Sequence, residues 1–331
     1  MPILFFLGIV IVVLAIIDII WTILWVEGGA GFITKALSSS LWRVMSTFAH
    51  GNRKALRLAG PTMLTLTLLN WIFLLWLGWA LVFSGSTNAI TDTVNQTPIV
   101  WQNIVYYTGY TIFTLGLGDY SPASPFWQIM TAIASGTGML FFTLGASYII
   151  SVVGAVLNKR SFSSSVIEIG TSSEEIVKDA WNGNDLSNMN LLLMDMSDQL
   201  SVLSMKQKAY PLLNYFHTTN KKEAIAIALP IIDDALSIIV YGMEAGTQPN
   251  PILIKKFRNC ISNHLETLEA TYIKSADEPL ALPKLDQLKK DGLPVVKTDV
   301  FESQMAGLTE RRKKLFGLLK EDNWQEKDLD L

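Results

Sequence analysis

The chain has 331 residues, half of them apolar and 17% charged, with a formal net charge of −3 and a positive mean hydropathy. That balance suits a membrane protein carrying a soluble portion; it excludes a purely soluble globule and gives no basic excess for nucleic acid. Cys260 is the only cysteine, so one chain can build neither a disulfide framework nor a thiolate metal cluster.

The first element is an apolar run, Ile3–Val26, in which Asp18 is the one ionisable residue. It exceeds the ~20 residues needed to cross a bilayer core. It lacks the basic start of a signal peptide, although Gly28–Gly31 resembles a cleavage site, so a retained helix is expected. Asp18 is costly in lipid and is expected to face another helix or the cytoplasmic-side interface. Residues 34–58 follow, with Leu37, Leu41, Val44, Met45 and Phe48 at helical spacing beside Arg43, Lys54 and Arg57. They predict an amphipathic helix on the inner membrane surface, either a moving lever or a passive connector. Pro61–Ser84 has no ionisable residue and predicts a second span. Trp101–Phe113 is short, uncharged and aromatic, the length of a half-spanning helix. Phe126–Leu157, 32 residues without a charge, predicts a third span of ~48 Å that projects beyond the bilayer at one end.

Between the half-span and the third span lies Thr114-Leu115-Gly116-Leu117-Gly118-Asp119. Glycines at alternate positions allow alternate left-handed backbone angles, so successive carbonyls point one way, which a regular strand forbids. Four such segments around an axis would stack rings of oxygens able to replace the water around a dehydrated cation. The competing reading is a glycine-rich turn between two helices.

Loop charges set the orientation. Residues 28–60 carry five Lys or Arg and no acid, residues 85–125 carry Asp92 and Asp119 and no base, and Lys159-Arg160 follows the third span. The positive-inside rule then predicts the amino terminus outside and everything after 158 in the cytoplasm. Residues 1–160 are net +3 and the rest net −6, so charge and hydropathy change together near 158–165.

Residues 61–160 resemble the pore module of the potassium channel superfamily, and the filter run is similar to the second pore loop of some two-pore-domain members. The resemblance implies a filter in which Thr114, Leu115, Gly116, Leu117 and Gly118 bind the permeant potassium ion, Thr114 through its hydroxyl as well. It implies filter support from Tyr106, Tyr107 and Asp119, and a gate hinge at Gly138, with Gly145 as a second candidate. Glycine at 138 fits close helix packing as well as hinging, and both readings stand. Asp119 fits a cation-attracting mouth and also a cap on the following turn. Three departures stand out: Phe113 replaces a usual threonine, Leu117 lacks the hydroxyl that commonly ties the filter to the pore helix, and Tyr110 stands where some members have glutamate. With one filter per chain, stoichiometry implies a homotetramer in membrane lipid.

The remainder predicts helices only. Thr171–Glu174 is a capping-box pattern; Leu186–Lys208, Lys221–Tyr241 with Pro230, Ile252–Ile273 and Val300–Leu319 carry helical spacing, and 277–296 is a Pro/Gly-marked linker. No dinucleotide fingerprint or EF-hand loop appears. His217 and His264 read as packing or surface residues, Asp233-Asp234 gives weak support to a calcium site, and Arg311–Lys314 reads as a solvated face.

The expectation is an all-α membrane protein in three parts. Residues 1–60 are an extra helix and connector, 61–160 the pore module with its re-entrant helix, and 161–331 a helical cytoplasmic domain. It is expected to be a multi-pass cell-membrane channel selective for potassium, without cofactor, enzyme activity or nucleic-acid partner. The alternatives are a weakly selective cation channel, or a signalling scaffold with a vestigial pore. The cytoplasmic ligand and gating stimulus are not legible.

Overall fold

The computed structural model describes residues 2–25, 29–49 and 53–329, with the side chains of Ser46, Phe48 and Ala49 and residues 26–28 outside that description. The chain is largely helical and divides into two compact units, 1–45 with 61–152 and 46–60 with 153–331. Contacts thus divide the chain differently from composition: they assign 46–60 to the second unit and cut the long third helix at 152.

The first unit holds α1 (Pro2–Leu24), α2 (Phe32–Ala49, up to residue 45), most of α4 (Ala59–Ser84; α3 is Arg53–Leu56), α5 (Trp101–Ile112) and the first part of α6 (Pro125–Ile169). Two short strands, β1 (Ile90–Asp92) and β2 (Tyr120–Pro122), pair antiparallel with Asp92 opposite Tyr120. The helices α1, α4 and α6 are long and apolar enough to cross a membrane. They leave Phe6, Val10, Ile17, Phe73, Ile133, Leu140 and Ile150 uncovered, a surface that suits lipid or another chain better than water.

Helix α1 packs on α4 through small residues. A Cβ at Gly8 would lie 2.5 Å from the Gly78 carbonyl oxygen, and one at Gly78 would lie 2.7 Å from Val12. Without Cβ atoms the two backbones approach closely, which is how helices associate where the hydrophobic effect is absent. Asp18 lies beyond this crossing and is 0% exposed. Its carboxylate accepts the Ile33 and Thr34 amides (2.8 and 3.3 Å), the Thr34 hydroxyl (2.6 Å) and the Trp71 indole N–H (2.9 Å). Thr22 accepts the Gly31 amide at 2.9 Å. The acid of α1 therefore caps the N-terminus of α2, whose free amides and positive dipole end favour a carboxylate.

The second unit is a helical bundle around α9 (Ile225–Ser237), every residue of which is buried. Around it stand the end of α6, α7 (Ser173–Ala180), α8 (Met189–Ala209), α10 (Pro251–Glu269), the short α11 (Asp286–Lys290) and α12 (Thr298–Met305) with α13 (Thr309–Glu321). A π-helical turn, Ile238–Gly242, extends α9. Together they are long and apolar enough to cross a membrane, yet they lie inside this bundle. The predicted final helix is broken at residues 306–308.

The basic run at 311–314 departs from the expected solvated face. Arg311 grips Asp233 with Nε and Nη2 (2.9 and 2.6 Å), Arg258 approaches the same carboxylate at 3.5 Å, and Arg312 pairs with Asp234 while also donating to the Leu280 and Ala281 carbonyls. The two aspartates are ion-pair anchors between α9, α10 and α13, not a calcium site. Burial pushes Asp233 upward, but Arg311 and Arg258 outweigh it and hold the acid below its ordinary value. Asp234 is raised to about 6, because its burial outweighs Arg312.

Arg53 belongs to this unit as well. Its guanidinium stacks 3.9 Å over Trp324 and donates to the Asn323 carbonyl (2.9 Å) and to Asp328 (2.6 Å). The chain entering α4 is thereby fastened to the C-terminal segment.

Candidate functional site

Helix α5 has 12 residues, so it is ~18 Å long, about half a bilayer core. Asn103 opens it by accepting the Val100 amide at 2.9 Å. Helix α4 holds its middle: the Trp76 indole donates to the Val105 carbonyl at 2.9 Å, and a Cβ at Gly109 would press 2.8 Å from the Trp76 ring. At the far end the Thr114 amide donates to the Thr111 carbonyl (3.1 Å) and the Leu115 amide to the Tyr110 carbonyl (2.8 Å). This pair of bonds is the Schellman pattern, and it needs a left-handed residue just past the helix cap. Thr114 takes that position, with φ +56°.

The same residue begins the alternation expected from the glycines. Gly116 has φ +59° and Gly118 φ +84°, while Leu115 and Leu117 between them keep negative φ. Left-handed angles at every second position are the backbone condition under which successive peptide units can point one way. Left-handed backbone at a β-branched threonine costs on the order of 1–3 kcal/mol and concentrates at functional sites. The helix terminator is thus also the first residue of the left-handed alternation.

Leu115 and Leu117 project outward, 64% and 56% exposed in the single chain. Behind the run is a groove of about 440 Å³ whose lining includes Tyr107, Tyr110, Thr114, Gln128 and Thr131. The tyrosines brace this region. Tyr107 hydrogen-bonds the Thr131 hydroxyl of α6 (2.5 Å), and Tyr110 donates to the Tyr120 carbonyl just past the glycines (2.7 Å). Tyr106 stands beside Asp119 and packs edge-on against Tyr110 and Tyr120. Asp119 Oδ1 is buried without a hydrogen-bond partner among the described residues.

Glycine 138 lies where α6 passes the end of α5. A Cβ there would strike the Ile112 carbonyl oxygen, whereas one at Gly145 would meet only ordinary contacts, 3.6 Å from Leu68. Gly138 therefore has a packing reason to be glycine. Sequence reasoning missed Thr93, whose amide donates to the Asp119 carbonyl at 3.0 Å and whose hydroxyl reaches the Gly118 and Asp119 carbonyls at 2.7 and 2.8 Å. It also missed Asn103, which donates to the Tyr120 hydroxyl. A polar loop 25 residues upstream carries no periodic signal of such a contact. Among the described residues no group of three His, Cys, Asp or Glu side chains is placed to hold a metal.

Residues 69–155, which contain this arrangement, match the family model described as ion channel. Over 312 residues the chain is 37% identical to the uncharacterized membrane protein YdjJ of Bacillus subtilis (strain 168), covering 94% of this chain and 92% of that protein. The chain belongs to this membrane-protein family. No solved structure matches it. The channel match supports a pore-loop module in the first unit, and the helices of this family member make it a multi-pass membrane protein.

Proposed function

We propose that four copies of this chain form a potassium-selective channel. The observation that carries the reading is the left-handed alternation at Thr114, Gly116 and Gly118, directly after a helix of half-membrane length. Carbonyls aimed one way by this alternation, repeated around a fourfold axis, replace the hydration shell of a dehydrated cation. Thr114 contributes its hydroxyl and carbonyl at the inner end, and Leu115, Gly116 and Leu117 contribute carbonyls. Non-helical backbone at membrane depth requires burial or a water-filled path, and a ring of four copies supplies it. The same ring covers Leu115 and Leu117, which one chain leaves open.

In this reading α1, α4 and α6 are the spans, with the amino terminus outside and the second unit a cytoplasmic domain that sets open probability. The wholly buried α9, with its paired aspartates, is a core helix. Gly138 is held by packing against Ile112, so Gly145 is the freer of the two glycines to act as hinge. Purified protein in planar bilayers under bi-ionic potassium and sodium gradients tests the reading. Reversal potentials far on the potassium side, with block by barium, are expected. Equal permeability would leave a weakly selective cation pore, and no current in any cation would overturn the proposal.

A further inference from the structure

The filter's outer half lacks side-chain ties of its own. Leu117 brings no hydroxyl, and a Cβ at Gly116 or Gly118 would meet nothing within 4 Å. A glycine peptide so placed rotates at little steric cost. Yet the last two carbonyls of the run are held from outside, by the loop that follows β1.

We propose that Thr93 is the latch that keeps the outer end of the filter in its conducting form, a positioning residue that rests on the channel reading above. Its hydroxyl lies 2.7 Å from the Gly118 carbonyl oxygen and 2.8 Å from that of Asp119, and its amide donates to Asp119 at 3.0 Å. A carbonyl oxygen has two lone pairs, so a hydroxyl on one leaves the other for a cation. The hydroxyl thus fixes the direction of the Gly118 peptide and replaces the tie that Leu117 lacks.

The latch is itself built rigidly. The β1–β2 pairing sets Asp92 opposite Tyr120, one residue before Thr93, and Thr91 bonds across to Ser121 at 3.2 Å. The Asp92 carboxylate then closes the next turn, accepting the Val94 and Asn95 amides (2.9 and 2.8 Å) and the Thr97 hydroxyl (2.7 Å). The Asn95 amide and the Thr97 hydroxyl hold this acid at about 2, so the turn keeps its charge over the physiological range.

Losing the latch allows the Gly118 peptide to turn away. A potassium ion in the filter opposes that turn by mass action, so the defect depends on external potassium. The test is single-channel recording from the full-length protein with low and high external potassium. Removing one hydroxyl contact in Thr93→Val is expected to shorten open time about 5–10-fold at low external potassium, with recovery when potassium is raised. Thr93→Ser keeps the hydroxyl and is expected to match the native channel. Asp92→Asn, which loosens the turn, is expected to show the same potassium dependence in milder form and covers a failure of Thr93→Val to assemble. Native-like open times for Thr93→Val, or equal damage by Thr93→Ser, or an Asp92→Asn effect that ignores potassium, would each overturn the latch. A native protein that passes no ion removes the channel reading first, and the latch with it.

Discussion

Replacing Asp18 tests its role as a cap on α2. In Asp18→Ala the Ile33 and Thr34 amides lose their acceptor, while the Trp71 indole keeps the Thr34 hydroxyl at 3.1 Å. Two orphan donors, one buried and one partly buried, at about 1–3 kcal/mol each, with the lost charge at the helix end, give about 3–6 kcal/mol of destabilisation. Asp18→Asn retains an acceptor for the amides but points an amide group at Trp71, so it costs about 1–3 kcal/mol. Thermal unfolding of the detergent-solubilised protein, followed by tryptophan fluorescence, gives the order native, Asn, Ala. Hydrogen exchange at residues 33–36 rises in the same order, because the first turn of α2 loses its cap. If both variants stay within about 0.5 kcal/mol of the native protein, the scale of ordinary surface changes, or if exchange in α2 is unaltered, the capping argument fails.

Three further outcomes follow from the packing and charges. Gly138→Ala drives a methyl into the Ile112 carbonyl and is expected to destabilise by about 1–3 kcal/mol, whereas Gly145→Ala leaves stability unchanged or slightly raised; paired melting curves decide this. Asp233→Ala strands the partly buried Arg311 and Arg258, an expected loss of about 3 kcal/mol read by chemical denaturation of the full chain. His264 is held down to about 3 by burial and, secondarily, by Lys159, so below its ordinary value near 6.5 the unfolded chain takes a proton that the folded chain refuses. Its contribution is complete above 6.5 and is lost as pH falls toward 3; between pH 7 and 5 this is about 2 kcal/mol, and His264→Gln should show that much less acid sensitivity than the native protein. The raised Asp234 works in the opposite direction over the same range in both proteins, so the difference between them isolates the histidine.

The sequence exposes those features that are local in the chain. Runs such as Ile3–Val26 and Phe126–Leu157 are legible because a bilayer demands length and apolarity, and the Gly116-Leu117-Gly118 spacing because left-handed backbone demands small residues. Thr114 in a left-handed state was not legible, since it is the helix end at Phe113 that forces it. Arg311 and Arg312 looked solvated because a basic tetrad carries no hint of two acids 78 residues earlier. Asp18 was visible as an anomaly, but its partners at 33, 34 and 71 came only with the fold. Thr93 was hidden for the same reason: its contacts are made by strand pairing, not by periodicity.

The buried α9 also bears on how the chain is made. To the machinery that threads nascent segments into the bilayer, Ile225–Gly242 offers a largely apolar stretch of 18 residues with Asp233 and Asp234 at its midpoint. Each acid near the centre of an inserting helix adds roughly 2.5–3.5 kcal/mol against insertion. That cost disfavours insertion of the segment, and in the folded bundle the same two carboxylates anchor three arginines, Arg258, Arg311 and Arg312.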